Sequence, residues 1–136
     1  MTTATVYLTG EAHWAKLKKP DDKYNNWCID LKLDEEGMLA FKKSGMQLKI
    51  NEGKIKLRRP VQRLIKGDLV KFDPPSLLDE NNDPLDVLVG NGSRVTCKVS
   101  VYDTQKGKGH RLDAVRVEDL VEYEKEEIIG DIEVPF

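Results

Sequence analysis

The residues best placed to do chemistry in this chain are cations at alternate positions in strand-like runs. Lys54, Lys56 and Arg58 alternate with Ile55 and Leu57 in KIKLRRP (54–60), and Arg59 and Arg63 follow closely. Arg94 and Lys98 share one face of RVTCKVSVYD (94–103) with Tyr102, while Val95, Cys97, Val99 and Val101 share the other. Period-two alternation puts charge on one side of a strand and apolar bulk on the other. A cationic face tracks phosphates, and an exposed ring stacks on a base at ~1–3 kcal/mol; together they grip an unpaired strand without reading its sequence. For any one lysine a solvated strand face is the ordinary reading. Clustering favours binding: residues 42–71 hold ten basic residues against Glu52 and Asp68, a net +8.

The aromatic residues divide by their neighbours. Tyr102, among polar residues on its face, is the first stacking candidate. Tyr24 in the KYNN loop is either a stacking ring or a loop anchor. Trp14 is flanked by lysine and by apolar alternation, as is Phe72. Tyr7 faces away from Val6 and Leu8 and is a weaker candidate, and Trp27 shares a face with Ile29, Leu31 and Leu33 and reads as core. Core packing is the default for a large ring.

Enzymatic constellations are weak. His13 and His110 sit in no metal-ligand or acid–base spacing and read as surface or loop residues. GKGH (107–110) lacks the spacing of a phosphate loop, and Asp79, Glu80, Asp83 and Asp86 read as solvated loop acids. Cys28 falls on a polar strand face and Cys97 on an apolar one; both are expected to be free thiols, Cys97 in the core. No catalytic residue, metal ligand or cofactor is assigned.

The elements that must hold these residues follow from punctuation and period. Strands are expected over 4–17, 27–33, 46–59 and 69–72, and 94–123 reads as a long hairpin. KKPDDKYNN (18–26) and DENNDP (79–84) read as loops. One short helix is expected over 35–44, with Asp34 as its cap, Glu35 and Glu36 in the first turn and Gly45 as its stop; Gly37 weakens it by ~1 kcal/mol relative to Ala. The content is all-β with one helix, for which a small antiparallel barrel is the natural closure; strand patterning does not separate an OB-like barrel from other small β folds.

At 136 residues there is room for one domain, and 39% hydrophobic residues are enough for a core. Nothing approaches a ~20-residue apolar span. The opening MTTATVYLTG has no basic or apolar leader character, and two cysteines fit a reducing compartment. The net charge of -2 conceals a division: residues 118–136 carry eight acidic residues against Lys125, net -7, and the rest carries 21 basic and 16 acidic residues, net +5. A basic body with an acidic tail suggests a polyanion partner. The tail ends in GDIEVPF, where Asp131, Glu133, Pro135 and Phe136 make a peptide that a basic-rimmed hydrophobic pocket could capture. The same acids could instead lie in the empty cationic groove.

The order of KIKLRRP (54–60), KGDLVKFDPP (66–75), VGNGSRVTCKVSVYD (89–103), GKGHRLDAVRVEDLVEYE (107–124) and this tail resembles the OB-fold single-stranded DNA-binding proteins of bacteriophages, the T7-like replication type. The tip also resembles that of bacterial single-stranded DNA-binding proteins. The resemblance implies a five-stranded antiparallel Greek-key OB barrel over 1–123 and an acidic tail over 124–136. It implies a non-enzymatic protein that coats single-stranded DNA in replication and recombination, in the cytoplasm of a host cell, and recruits replication proteins through its tail. It supports Lys54, Lys56, Arg58, Arg59 and Lys98 as phosphate contacts, to which residue patterning adds Arg94, and Phe136 as the tail tip; Trp14 and Tyr24 join Tyr102 as stacking candidates. It also implies pairing with a second copy, with no residues assigned. The rival readings are an RNA-binding OB module, a protein adaptor that binds no nucleic acid and, last, a nuclease.

Overall fold

The computed structural model describes residues 3–21, 25–104 and 107–121. Among the described residues eight strands and one helix follow in the order β1 (Thr3–Asp21), β2 (Asn26–Leu33), α1 (Glu35–Ser44), β3 (Lys54–Pro60), β4 (Gln62–Ile65), β5 (Asp68–Lys71), β6 (Ser76–Leu78), β7 (Arg94–Thr104) and β8 (Gly107–Asp119). Six of them form one mixed sheet in the order β3-β2-β1-β7-β8-β6, and β4 and β5 form a separate two-stranded ribbon. The arrangement is OB-like, but its ladders do not close the five-stranded antiparallel barrel expected. Two segments share the outer edge of β8. Ser76–Leu78 takes that edge in parallel register with Ala114–Arg116. Among the described residues no ladder pairs β3 with β8; the end of β3 meets β8 through side chains, the Arg58 backbone N–H donating to His110 Nε2 at 3.1 Å and Arg59 Nη1 donating to the Leu112 carbonyl and to Asp113, each at 3.3 Å.

The core sits on the inner side of this curved sheet. Leu8, Ile29, Leu31, Ile55, Leu57, Val95, Val99, Leu112 and Val115 are essentially inaccessible, as their alternation requires. Cys97 lies among them, and burial pushes its thiol up to about 12, so it stays protonated and inert. Cys28 is buried too, against the expectation of a polar face, and burial also raises its pKa. Both thiols are free. Trp27 is buried as expected, although its indole Nε1–H has no partner among the described residues.

Helix α1 covers the span read from its caps. Asp34 accepts a hydrogen bond from the Gly37 N–H at 2.6 Å, and Gly45 closes the helix at φ 77°. Gly37 lies against the Thr9 carbonyl, and a Cβ there would collide with it. The residue that weakens the helix locally is what lets it approach β1.

Two boundaries differ from expectation. Strand β1 runs into the expected 18–26 loop as far as Asp21, which pairs with Asn26, and Lys16 Nζ reaches Asp21 Oδ2 at 2.7 Å. Residues 46–53 are turn and loop, with a single bridge between Asn51 and Lys54, so the expected strand over 46–59 begins only at Lys54. Glu118 and Asp119 close β8 and do not belong to a tail; Glu118 accepts from Arg116 at 2.5 Å. The expected boundary between residues 123 and 124 lies outside the described residues.

Candidate nucleic-acid interface

β3 presents Lys54, Lys56 and Arg58 outward while Ile55 and Leu57 enter the core. Two residues of strand advance about 6.6 Å, so the three cations form a regular row. Three adjoining recesses run over this row. The first, about 300 Å³, is lined by Trp14, Lys49, Asn51, Lys54 and Lys56, with Asp30 and Glu52 among them. The second, about 400 Å³, shares Lys49, Asn51 and Lys56 with it and adds Arg58 and His110. The third, about 520 Å³, shares Arg58 and His110 with the second and adds Gln62, Arg63 and Tyr102. The shared walls make one groove, with an indole at one end and a phenol at the other.

Trp14 reaches the groove through a change of register. The pairing of β1 with β2 slips between His13 and Lys16, and Trp14 sits at φ 49° inside the slip. Leu8 and Ala12 point inward before it and Leu17 after it, so alternation is broken between Ala12 and Leu17 and the indole turns outward, 66% exposed. The side chain of Asn91 holds the strained backbone by accepting from the Trp14 N–H at 2.8 Å.

At the other end Tyr102 is half-buried. Its hydroxyl donates to the His110 carbonyl at 3.3 Å and accepts from Arg63 Nη1 at 2.8 Å, and the Arg63 guanidinium lies 5.8 Å from the ring centre. Arg63 therefore already occupies one side of the ring.

Along the groove Lys49, Lys54, Lys56, Arg58 and Arg63 outnumber the acids Asp30 and Glu52. Lys56 has Asp30 at 3.7 Å. Among the described residues Lys49 and Lys54 have no carboxylate within ion-pair distance. His110 lines the floor as a neutral ring: burial first and the charge of Arg58 second push its pKa down to about 4. Its Nε2 accepts the Arg58 N–H, so its proton sits on Nδ1. The surface-loop reading of His110 is thus replaced by a half-buried strand residue. His13 is likewise half-buried on a strand, in β1, with its Nε2 2.7 Å from Glu11.

Three of the expected cations stand elsewhere. Arg59 is half-buried: it donates to the Asp73 carbonyl at 2.7 Å, pairs with Asp113 at 3.3 Å, and lies 5.3 Å from the Phe72 ring centre. Burial and the neighbouring Arg111 lower its pKa. Arg94 pairs with Asp34 at 2.8 Å and so braces the cap of α1. Lys98 stands opposite Tyr7 on the outer face of β1 and β7, in a cleft of about 500 Å³ with Thr9, Thr96 and Arg116 that shares no residue with the groove. Tyr24, Asp131, Glu133, Pro135 and Phe136 lie outside the described residues. Lys49 is the groove residue that pattern reading missed; its only sequence signal is membership of the +8 segment.

The loop acids behave as solvated turn formers: Asp79 accepts from the Asn81 and Asp83 N–H groups at 2.8 and 3.0 Å, and Asp86 pairs with Lys18. Among the described residues no cluster of three His, Cys, Asp or Glu is placed to hold a metal ion, and no helix is long and apolar enough to cross a membrane.

Comparison with solved structures places this architecture. The single-stranded DNA-binding protein gp2.5 encoded by bacteriophage T7 superposes with a TM-score of 0.66 at 14% identity, over 98% of this chain and 100% of that one. The single-stranded DNA-binding protein of bacteriophage Enc34 superposes with TM-scores of 0.57 in complex with single-stranded DNA (14% identity, 88% of each chain) and 0.55 without it (15% identity, 95% of this chain and 87% of that one). The chain has the fold of these phage proteins. No protein-family model matches the sequence, and no curated protein sequence does either.

Proposed function

We propose that this chain is a non-enzymatic protein that binds single-stranded DNA without sequence preference, in the groove over β3. The observation that carries the proposal is the run of three adjoining recesses, with Lys49, Lys54, Lys56 and Arg58 between Trp14 and Tyr102. Cations spaced by about 6.6 Å meet successive phosphates of an extended strand, and the terminal rings meet bases. Such a site takes any sequence because every base has a π-face. Arg59, Arg94 and Lys98, which stand outside the groove, are not assigned to it. The likeness in fold to phage proteins that bind single-stranded DNA supports the same reading.

Titration of tryptophan fluorescence with oligo-dT at several salt concentrations tests it. Trp14 fluorescence is quenched, affinity falls as salt rises, and Lys54→Glu with Lys56→Glu weakens binding and flattens the salt dependence. Equal affinity for duplex and single strand refutes the stacking groove. Preference for RNA over DNA of the same sequence favours a translation-type OB module, and no binding at all favours an adaptor.

Two finer expectations belong to the same reading. The bond between Arg58 N–H and His110 supports β3 and β8 as the facing edges of an OB barrel. Recruitment of replication and recombination proteins is proposed for the acidic tip ending in Phe136, supported by its sequence. Deleting 125–136 then abolishes partner capture and strengthens DNA binding at low salt.

A further inference from the structure

We propose that the β4–β5 ribbon is a second wall of the DNA path, packing apolar side chains on base faces while its lysines hold phosphates. The inference rests on reading the β3 groove as the single-stranded DNA site. Among the described residues the two strands of the ribbon pair only with each other. Leu64 and Leu69 stand directly opposite each other on it, 69% and 57% exposed. A two-stranded ribbon is marginal in water, and an exposed apolar cross-strand pair contributes little by itself while most of its apolar surface stays in water.

The ribbon's root is fixed at the phenol end of the groove. The Phe72 N–H donates to the Val61 carbonyl at 2.8 Å, Arg59 and Arg111 lie over the Phe72 ring at 5.3 and 5.7 Å, and Arg63 is bonded to Tyr102. Gln62 and Arg63, at the base of the ribbon, line the third recess, and Leu64 and Leu69 follow along the ribbon on the face that Gln62 and Lys71 share.

Charge selects the occupant. The ribbon carries Arg63, Lys66 and Lys71 against Asp68, a net +2. Two such ribbons repel, which disfavours a second copy. A ligand that offers flat apolar faces and regularly spaced anions satisfies both features, and unpaired DNA does so whereas a duplex hides its base faces. Leucine supplies contact area without hydrogen bonds and so adds no sequence preference.

The experiment is a salt titration of oligo-dT binding by the full chain and three double variants. Leu64→Ser with Leu69→Ser loses about tenfold in affinity, equivalent to ~1.4 kcal/mol, with the slope of log K against log salt unchanged. Lys66→Glu with Lys71→Glu reduces that slope by about 1.4, roughly 0.7 for each phosphate no longer held. Lys54→Glu with Lys56→Glu reports on the groove itself. Wild-type affinity in both ribbon variants, with binding lost in the groove variant, overturns the ribbon proposal and leaves the groove standing. Wild-type binding in all three overturns both. A leucine variant that binds DNA normally but sediments as a smaller species assigns the ribbon to an interface between copies and also overturns the proposal.

Discussion

His110 makes the stability of this protein depend on pH in a way that can be worked from the structure. The ring is half-buried beneath the groove, its Nε2 accepts the Arg58 N–H, and its pKa is about 4 against an ordinary 6.5. The folded state therefore holds His110 neutral while the unfolded chain takes up a proton below pH 6.5. Protonation favours the unfolded state, so stability is lost as pH falls from 6.5 towards 4 and is unaffected by this group above about 7. The linkage amounts to about 1.4 kcal/mol at pH 5.5 and about 2.6 kcal/mol at pH 4.5, since each pH unit between the two pKa values is worth about 1.36 kcal/mol. His110→Gln retains an acceptor for the Arg58 N–H and removes the titration. Urea unfolding of both proteins at pH 7.5, 5.5 and 4.5 isolates the effect, because carboxylates contribute equally to each and cancel in the difference. The wild type loses about 2.6 kcal/mol more than His110→Gln between the extremes. Parallel pH profiles, or an NMR titration of His110 centred near 6.5, refute the reasoning.

Trp14→Ala leaves stability within about 0.5 kcal/mol, because the indole is exposed, but weakens oligo-dT binding by about tenfold or more and removes the fluorescence quench, since Trp27 is buried; a retained quench contradicts the assignment. Arg59→Ala and Lys56→Ala separate brace from contact. The first costs about 2 kcal/mol in urea unfolding, through its bonds to Asp73, Leu112 and Asp113, while the second lowers DNA affinity and barely moves stability. Gly37→Ala destabilises by about 1–3 kcal/mol despite its better helix propensity, because the new methyl meets the Thr9 carbonyl; a gain in stability in thermal unfolding refutes that collision.

The sequence by itself determined the parts of this protein that depend on near neighbours. Helix α1 matched its expected span because caps and end charges act within a turn. The inward sets of β2, β3 and β7 were legible because strict alternation over four or more residues fixes which face is buried. The segregation of charge along the chain was also there to be counted, and it suggested a polyanion partner. Tertiary structure decided which of those cations share a groove. Arg58 and Arg59 are adjacent in sequence, yet one lines the groove and the other is half-buried against Phe72 and Asp113, since consecutive strand residues face opposite ways. Lys98 alternates as cleanly as Lys56 but stands in a different cleft, because β1 and β7 place it beside Tyr7. Trp14 left the core face through a slip in register that only the pairing of β1 with β2 defines. The parallel pairing of β6 with an edge of β8 is likewise announced by no local pattern of either strand. Local periodicity assigns a residue to a face; only the packing of distant strands decides what that face looks upon.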